Sequence, residues 1–294
     1  MDILVVVITY KRPHMLERLL KSLELAGYPH EVLVVDNDPL GSALLTAERA
    51  KARYVVEKEP GISAARNRGI AESSSYDAIV FVDDDEYVVP GWLSALVAIQ
   101  QKTRAGAVFG PVISELPRTV PRWIDHGGFF MRPRYSDGSK PRWPATGNVL
   151  ITLSALAMLD VPRFSNLFSL TGGSDTEFFW RLELTGSRMV WCDGAVAYEE
   201  VPAERATAKW LWRRNIRLGN VSARMLVLKG KSKHLIFIAS IVRILAASPL
   251  ALYRLMRREP WGASLANLPK GIGMIEALRG NLTAEYQRSK TTGS

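Results

Sequence analysis

What this chain lacks narrows it first. It has a single cysteine, Cys192, so no disulfide framework can form within it and a reducing compartment is implied. A lone thiol of this kind reads as a small buried hydrophobe rather than a nucleophile. The four histidines, His14, His30, His126 and His234, are scattered without the spacing of a zinc site. Neither a G-x-x-x-x-G-K-[ST] loop nor a G-x-G-x-x-G fingerprint is present, which removes two common phosphate-cradling signatures. No grouping has the makings of a nucleophilic triad. Low-complexity tracts and internal repeats are missing too, and 47% hydrophobic content over 294 residues predicts a folded chain, one large domain or a domain with an appendage. The apolar run at residues 3–8 has no basic residue ahead of it and is too short for a signal-peptide core, so a buried strand is expected there.

The charge that is present is uneven. The net charge is +9, yet residues 1–200 carry 21 Lys and Arg against 25 Asp and Glu, whereas residues 201–294 carry 17 against 4. A near-neutral body with a strongly basic end implies an anionic surface met by that end alone. Nucleic acid would explain the charge but not the apolar run at 235–252, in which Arg243 is the only charged residue. Eighteen residues reach the lower limit for crossing a bilayer, but Arg243 lies mid-run, Pro249 interrupts it, and basic residues flank both ends. That pattern favours helices lying in the membrane interface, with a spanning or re-entrant segment and an ordinary core helix as the alternatives.

The first third alternates strand and helix patterns. Apolar strands are expected at 3–9, 31–35, 54–57 and 78–82, and helices at 13–23, 42–53 and 63–73. This order implies an α/β fold with a parallel, doubly wound sheet, in which ligands sit beyond the carboxyl ends of the strands. The segment 110–147, rich in Pro, Gly, Arg and Trp, reads as a long loop or bent hairpin over that edge. A further apolar strand is expected from 148, a helix over 174–184 and a last short strand at 188–191.

Several residues at that edge carry chemistry. Asp83-Asp84-Asp85 closes the strand at 78–82, and three adjoining carboxylates repel one another unless a divalent cation such as Mg²⁺ or Mn²⁺ joins them; a solvated acidic turn is the plainer account. Asp36, followed by Asn37, Asp38 and Pro39, offers either a carboxylate to a ribose or base, or an Asx turn. Gly61 permits close backbone approach ahead of a helix in which Ser63 is the expected N-cap and Arg66 calls for an anionic partner. Asp175 and Glu177 stand in the first turn of the helix at 174–184, where the helix dipole alone would favour them. One of them held near an acceptor hydroxyl would serve as a general base, with Gly172 and Gly173 giving the substrate room.

Taken in order, Val7-Ile8-Thr9-Tyr10-Lys11-Arg12-Pro13, Val34-Val35-Asp36-Asn37, Gly61 to Asn67, Phe81-Val82-Asp83-Asp84-Asp85 and Gly172 to Glu177 resemble glycosyltransferase family 2 over roughly residues 3–220. The stretch from Glu200 to Arg205, followed by Trp210-Leu211-Trp212-Arg213-Arg214, is similar to the bacterial exopolysaccharide branch with succinoglycan-type glucosyltransferases.

The resemblance implies a GT-A fold, with a Rossmann-like, mostly parallel sheet in residues 1–220 and a basic, apolar helical region in 221–294. It implies an inverting hexosyl transfer from a nucleoside-diphosphate sugar, a UDP-sugar foremost, to a saccharide on a polyprenyl diphosphate, at the cytoplasmic face of the inner membrane. Thr9, Tyr10, Arg12, Asp36, Asn37, Gly61, Arg66, Asp83, Asp84, Gly173, Arg213 and Arg214 would meet the donor. Asp85, Asp83 and Glu199 would hold Mn²⁺ or Mg²⁺, and Asp175 or Glu177 would be the base. Two positions depart from the pattern: Ser174 stands where the family often has Glu, and Glu199 where relatives often have His. The rival readings are a nucleotidyltransferase and a non-catalytic membrane-binding protein that retains the fold.

Overall fold

The computed structural model describes residues 1–168 and 172–282. Two compact units emerge, one from residues 1–114, 132–168 and 174–200, the other from 115–131, 172–173 and 201–282. The expected boundary at 220 falls inside a helix of the second.

The first unit opens as the sequence pattern predicts. Strand β1 (Ile3–Thr9) leads into helix α1 (Pro13–Leu23), which has Pro13 in its first turn. Leu16, Leu19, Leu20 and Leu23 line the buried side of α1 at helical spacing. There follow β2 (Glu31–Asp36), α2 (Leu44–Arg49), β3 (Arg53–Val56), α3 (Ile62–Ala71) and β4 (Ala78–Asp83). The chain continues through β5 (Glu86–Val88), α4 (Trp92–Thr103), β6 (Ala107–Phe109) and β7 (Val112–Glu115). After α5 (Arg122–Gly127) come β8 (Asn148–Thr152), α6 (Leu153–Ala157), α7 (Ser174–Leu184), β9 (Met189–Trp191) and β10 (Ala197–Glu200).

Seven strands form the main sheet in the order β3-β2-β1-β4-β8-β6-β9. β1 runs parallel to β2 and β4, and β2 to β3, while β8 is antiparallel to both β4 and β6. Leu4, Val5, Val6 and Val7 have no exposed surface, since one core covers each face of the sheet. Burial of each such side chain contributes roughly 1.5–3 kcal/mol, enough to explain why an unbroken apolar run marks these strands. Cys192 is buried in the first of these cores.

A second, three-stranded sheet, β5-β10-β7, lies at the carboxyl end of β4. The segment 110–147, expected as a long loop or bent hairpin, contains the strand β7 and the short helix α5. Ser63 is not the cap of α3 either; that place belongs to Gly61, whose φ of 124° is costly for any residue with a side chain.

The second unit contains α5 and the helices α8 (Ala208–Leu228), α9 (Lys233–Met256), α10 (Gly262–Leu265) and α11 (Asn267–Leu278). Helix α11 packs closely on α8 and α9. A Cβ on Gly219 would lie 2.1 Å from the Lys270 carbonyl oxygen, and one on Gly273 would lie 2.0 Å from that of Ile216. Small residues thus let the backbones meet, as they do between helices in lipid. Helix α9 buries only Ile236, Ser240, Ala247 and Ala251. Its large apolar side chains are on the surface, Leu245 being 69% exposed, so it is not an ordinary core helix. Among the described residues it is the one helix long and apolar enough to cross a membrane. Arg243, its mid-helix charge, donates to Asn267 Oδ1 at 3.0 Å.

Candidate active site

The carboxyl ends of β1 and β4 bring Thr9 and Arg12 against the acidic turn. The Thr9 hydroxyl donates to Asp84 Oδ2 at 2.8 Å, and Arg12 Nη1 lies 3.2 Å from Asp84 Oδ1 and 3.1 Å from Asp85 Oδ2. Asp84 is buried, and that burial raises its carboxyl to about 6 against the opposing pull of Arg12 and Thr9. Asp83 is likewise raised to about 6, foremost by burial, with Arg66 pulling it down and Asp85, Asp84 and Glu199 pushing it up. Its side chain keeps 43% of its surface open, so solvent moderates the effect. Thr9, with 1% exposure, supports this turn from beneath; Tyr10 is the exposed neighbour, with the Lys11 ammonium 5.4 Å from its ring centre.

Arg66 joins the acidic turn to helix α7. Its Nη2 is 4.0 Å from Asp83 Oδ1 and its Nη1 is 3.4 Å from the Ser174 hydroxyl. The guanidinium is buried, and among the described residues its Nε has no hydrogen-bond partner. Phe164 lies beneath it at 5.4 Å. A buried cation with an unspent donor suits an anionic ligand such as a diphosphate.

The two candidate bases differ in their surroundings. Glu177 is buried and gripped by Arg181, with Nε 2.6 Å from Oε1 and Nη2 3.1 Å from Oε2. Arg181 also donates to the Val161 and Arg163 carbonyls, so Glu177 anchors α7. Asp175 is partly exposed and takes its hydrogen bonds through one oxygen, Oδ1, from Thr176. Gly173, just ahead of α7, has a φ of 97°.

Asp36 and Asn37 are both buried with polar atoms engaged, and Asp36 makes the Asx turn that the sequence offered as the alternative to a nucleotide contact. Asp36 accepts from the Asp38 and Ala43 amides and from the Tyr54 hydroxyl at 2.9 Å. Asn37 donates to the Glu57 and Glu59 carbonyls and accepts from the Gly61 amide. The pair ties the loops after β2 and β3 to the start of α3.

Glu199 sits on β10 directly opposite Glu86 on β5 and is ion-paired with Arg132. Glu86 was not singled out in the sequence; its position one residue past the acidic triplet was the available signal. Burial, then Asp83, holds its carboxyl well above the ordinary range. Among the described residues no group of three His, Cys, Asp or Glu is placed to hold a metal ion as it stands. The donor chemistry nonetheless fits one: Asp83, Asp85, Glu86 and Glu199 influence one another electrostatically, and hard carboxylate oxygens suit Mg²⁺ or Mn²⁺. Arg213 and Arg214 belong to the second unit, on α8, where Arg214 lies 5.2 Å from the Trp210 ring centre and 5.6 Å from that of Phe130.

Known proteins resemble this chain in sequence and in fold. Residues 4–155 match the family model described as Glycosyl transferase family 2. The succinoglycan biosynthesis protein ExoM of Rhizobium meliloti (strain 1021) is 34% identical over 234 residues, covering 76% of this chain and 74% of that protein. The hyaluronan synthase of Pasteurella multocida is 28% identical over 240 residues, covering 67% of this chain but 24% of that protein. Among solved structures, the 1–349 fragment of S. aureus TarS in complex with UDP has a TM-score of 0.55 at 16% identity, covering 99% of this chain and 98% of that one. GalNAc-T7 with UDP, GalNAc and Mn²⁺ has a TM-score of 0.54 at 12% identity, covering 68% and 44%. At such identities these two structures speak for the fold alone.

Proposed function

This chain belongs to glycosyl transferase family 2, and from that premise we propose that it transfers a sugar from a UDP-sugar to a lipid-linked saccharide, with inversion at the anomeric carbon, in bacterial exopolysaccharide synthesis. The observation that carries this reading is the convergence of Arg12, Arg66 and the Asp83–Asp85 turn at the carboxyl edge of the sheet, where an α/β fold binds nucleotides.

Arg12 and the buried Arg66 would take the donor diphosphate, and Tyr10 and Gly61 would border the nucleotide. Asp85, Asp83 and Glu199 would hold Mn²⁺ or Mg²⁺, which when bound supplies positive charge to the departing diphosphate. Asp175 is the base: its free oxygen would take the proton from the acceptor hydroxyl as that oxygen attacks the anomeric carbon. Glu177 is spent on Arg181. Arg213 and Arg214, on α8, would meet lipid phosphates.

An acceptor on a polyprenyl diphosphate is anionic and membrane-bound. The exposed apolar face of α9, with Lys229 and Lys231 before the helix, Lys233 at its start and Arg254, Arg257 and Arg258 at its far end, suits a peripheral or monotopic seat on the cytoplasmic face of the inner membrane. ExoM's name places that relative in succinoglycan biosynthesis, which favours an exopolysaccharide product here.

The test is nucleoside diphosphate release from UDP-, GDP- and dTDP-sugars with Mn²⁺ or Mg²⁺. Hydrolysis of one donor, abolished by EDTA and by Asp85→Ala, is expected. Undiminished turnover in EDTA would refute the cation's role.

A further inference from the structure

Glu86 is almost wholly buried, with 1% exposure, and it makes no ion pair among the described residues. Its Oε2 accepts the backbone amide of Asp83 at 3.3 Å. The register of β5 and β10 sets Glu199 directly across from it, and opposed residues of paired strands project to the same face. The two carboxylates thus stand side by side at the end of β4.

Gly147, immediately before β8, lies against the Glu86 and Asp83 carboxyls. A Cβ there would come within 2.8 Å of Glu86 Oε1 and 3.2 Å of Asp83 Oδ2. The neighbouring carboxylates each pair with a cation within 4.0 Å: Arg12 with Asp84 and Asp85, Arg66 with Asp83, and Arg132 with Glu199. Glu86 makes no such pair among the described residues, and its side chain is bonded to the Asp83 amide. A buried carboxyl group is kept where its hydrogen bonding has a use. Arg66 is an independent sign that a ligand belongs here, because it is buried beside Asp83 and among the described residues its Nε is unpartnered.

We propose that Glu86 is a positioning residue for the divalent cation: by holding the Asp83 amide and packing against Gly147, it fixes the carboxylates that grip the ion. This rests on the cation reading of the preceding section. Groups that orient metal ligands typically contribute 10–100-fold to metal affinity.

The experiment is Mn²⁺ uptake by the full chain with UDP present, read from loss of the free-ion electron paramagnetic resonance signal. Wild type, Asp85→Ala, Glu86→Ala, Glu86→Gln and Gly147→Ala are compared. Glu86→Ala is expected to bind at least about 10-fold more weakly. Glu86→Gln, which keeps an acceptor oxygen for the Asp83 amide, should recover most of that loss. Gly147→Ala, whose methyl would displace the Glu86 carboxyl, should weaken binding while leaving Glu86 present, and it decides the matter if Glu86→Ala does not fold. Wild-type affinity in Glu86→Ala or Gly147→Ala, with binding lost in Asp85→Ala, would overturn the proposal and leave the cation reading intact. A Gln variant as weak as the Ala variant would also overturn it, making Glu86 a direct ligand. No Mn²⁺ uptake by wild type would overturn both.

Discussion

One nitrogen of Arg12, Nη1, lies within 3.2 Å of both Asp84 Oδ1 and Asp85 Oδ2. A side chain from the loop after β1 thus ties down two of the three carboxylates that follow β4. Arg12→Ala would leave the buried Asp84 with only its Thr9 hydrogen bond. A loss of about 1–3 kcal/mol in urea unfolding is expected, together with reduced donor turnover. Unchanged stability would mean that solvent replaces the guanidinium at no cost.

Acidity should act in a defined direction. The Asp84 carboxyl is raised to about 6 by its burial, whereas an unfolded Asp titrates near 3.9. Between those values the folded chain holds a proton that the unfolded chain has released. Stability of the ligand-free protein should therefore fall as pH rises through this interval and remain lower above it. Asp84→Asn should flatten that part of the pH profile of the urea midpoint. A variant with the wild-type slope would remove Asp84 as its source.

Asp175 and Glu177 should separate kinetically. Asp175→Asn is expected to lower kcat by about 10²–10⁴-fold with little change in donor KM or in melting temperature. Glu177→Gln weakens the pairing with Arg181, so its main effect should be on melting temperature. The reverse pattern would transfer the role of base to Glu177.

Membrane affinity should follow the open face of α9. Ile238 and Leu245 are 57% and 69% exposed, so Ile238→Asp with Leu245→Asp should leave thermal stability near wild type. Sedimentation with anionic vesicles should drop sharply in that double variant. Equal sedimentation would exclude this face as the membrane contact.

Gly273→Ala tests the helix packing of the second unit. Its Cβ would fall 2.0 Å from the Ile216 carbonyl oxygen, a backbone atom that cannot rotate away. Overpacking of this kind costs about 1–3 kcal/mol. A melting temperature equal to wild type would show that α8 and α11 separate easily.

Much of the first unit was legible in the sequence because its signals are local. An unbroken apolar run marks a strand covered on both faces, which identified 3–9 and 78–82, and helical spacing with Pro13 marked α1. Helix α7 spans 174–184, as its pattern implied. The ordered motifs also pointed to the family that residues 4–155 match. Local signals failed where a side chain's partner lies far along the chain. Nothing near Asp36 in sequence announces that the Tyr54 hydroxyl, 18 residues on, will donate to its carboxylate; for Glu177 the partner Arg181 stands only four residues away, and what the sequence left open was the burial that makes this two-oxygen pairing its main role.

By itself, then, the sequence determined the strand and helix order, the acidic edge and the basic, apolar end, because residue type and spacing are properties of a short stretch of chain. Only the tertiary structure decided which carboxylates are spent and which are free. It set Glu86 beside Glu199 through a strand register spanning more than a hundred residues, and it left Arg66 buried next to Asp83 with a donor to spare. Burial and pairing belong to the packed whole, and a charged group takes its role from them.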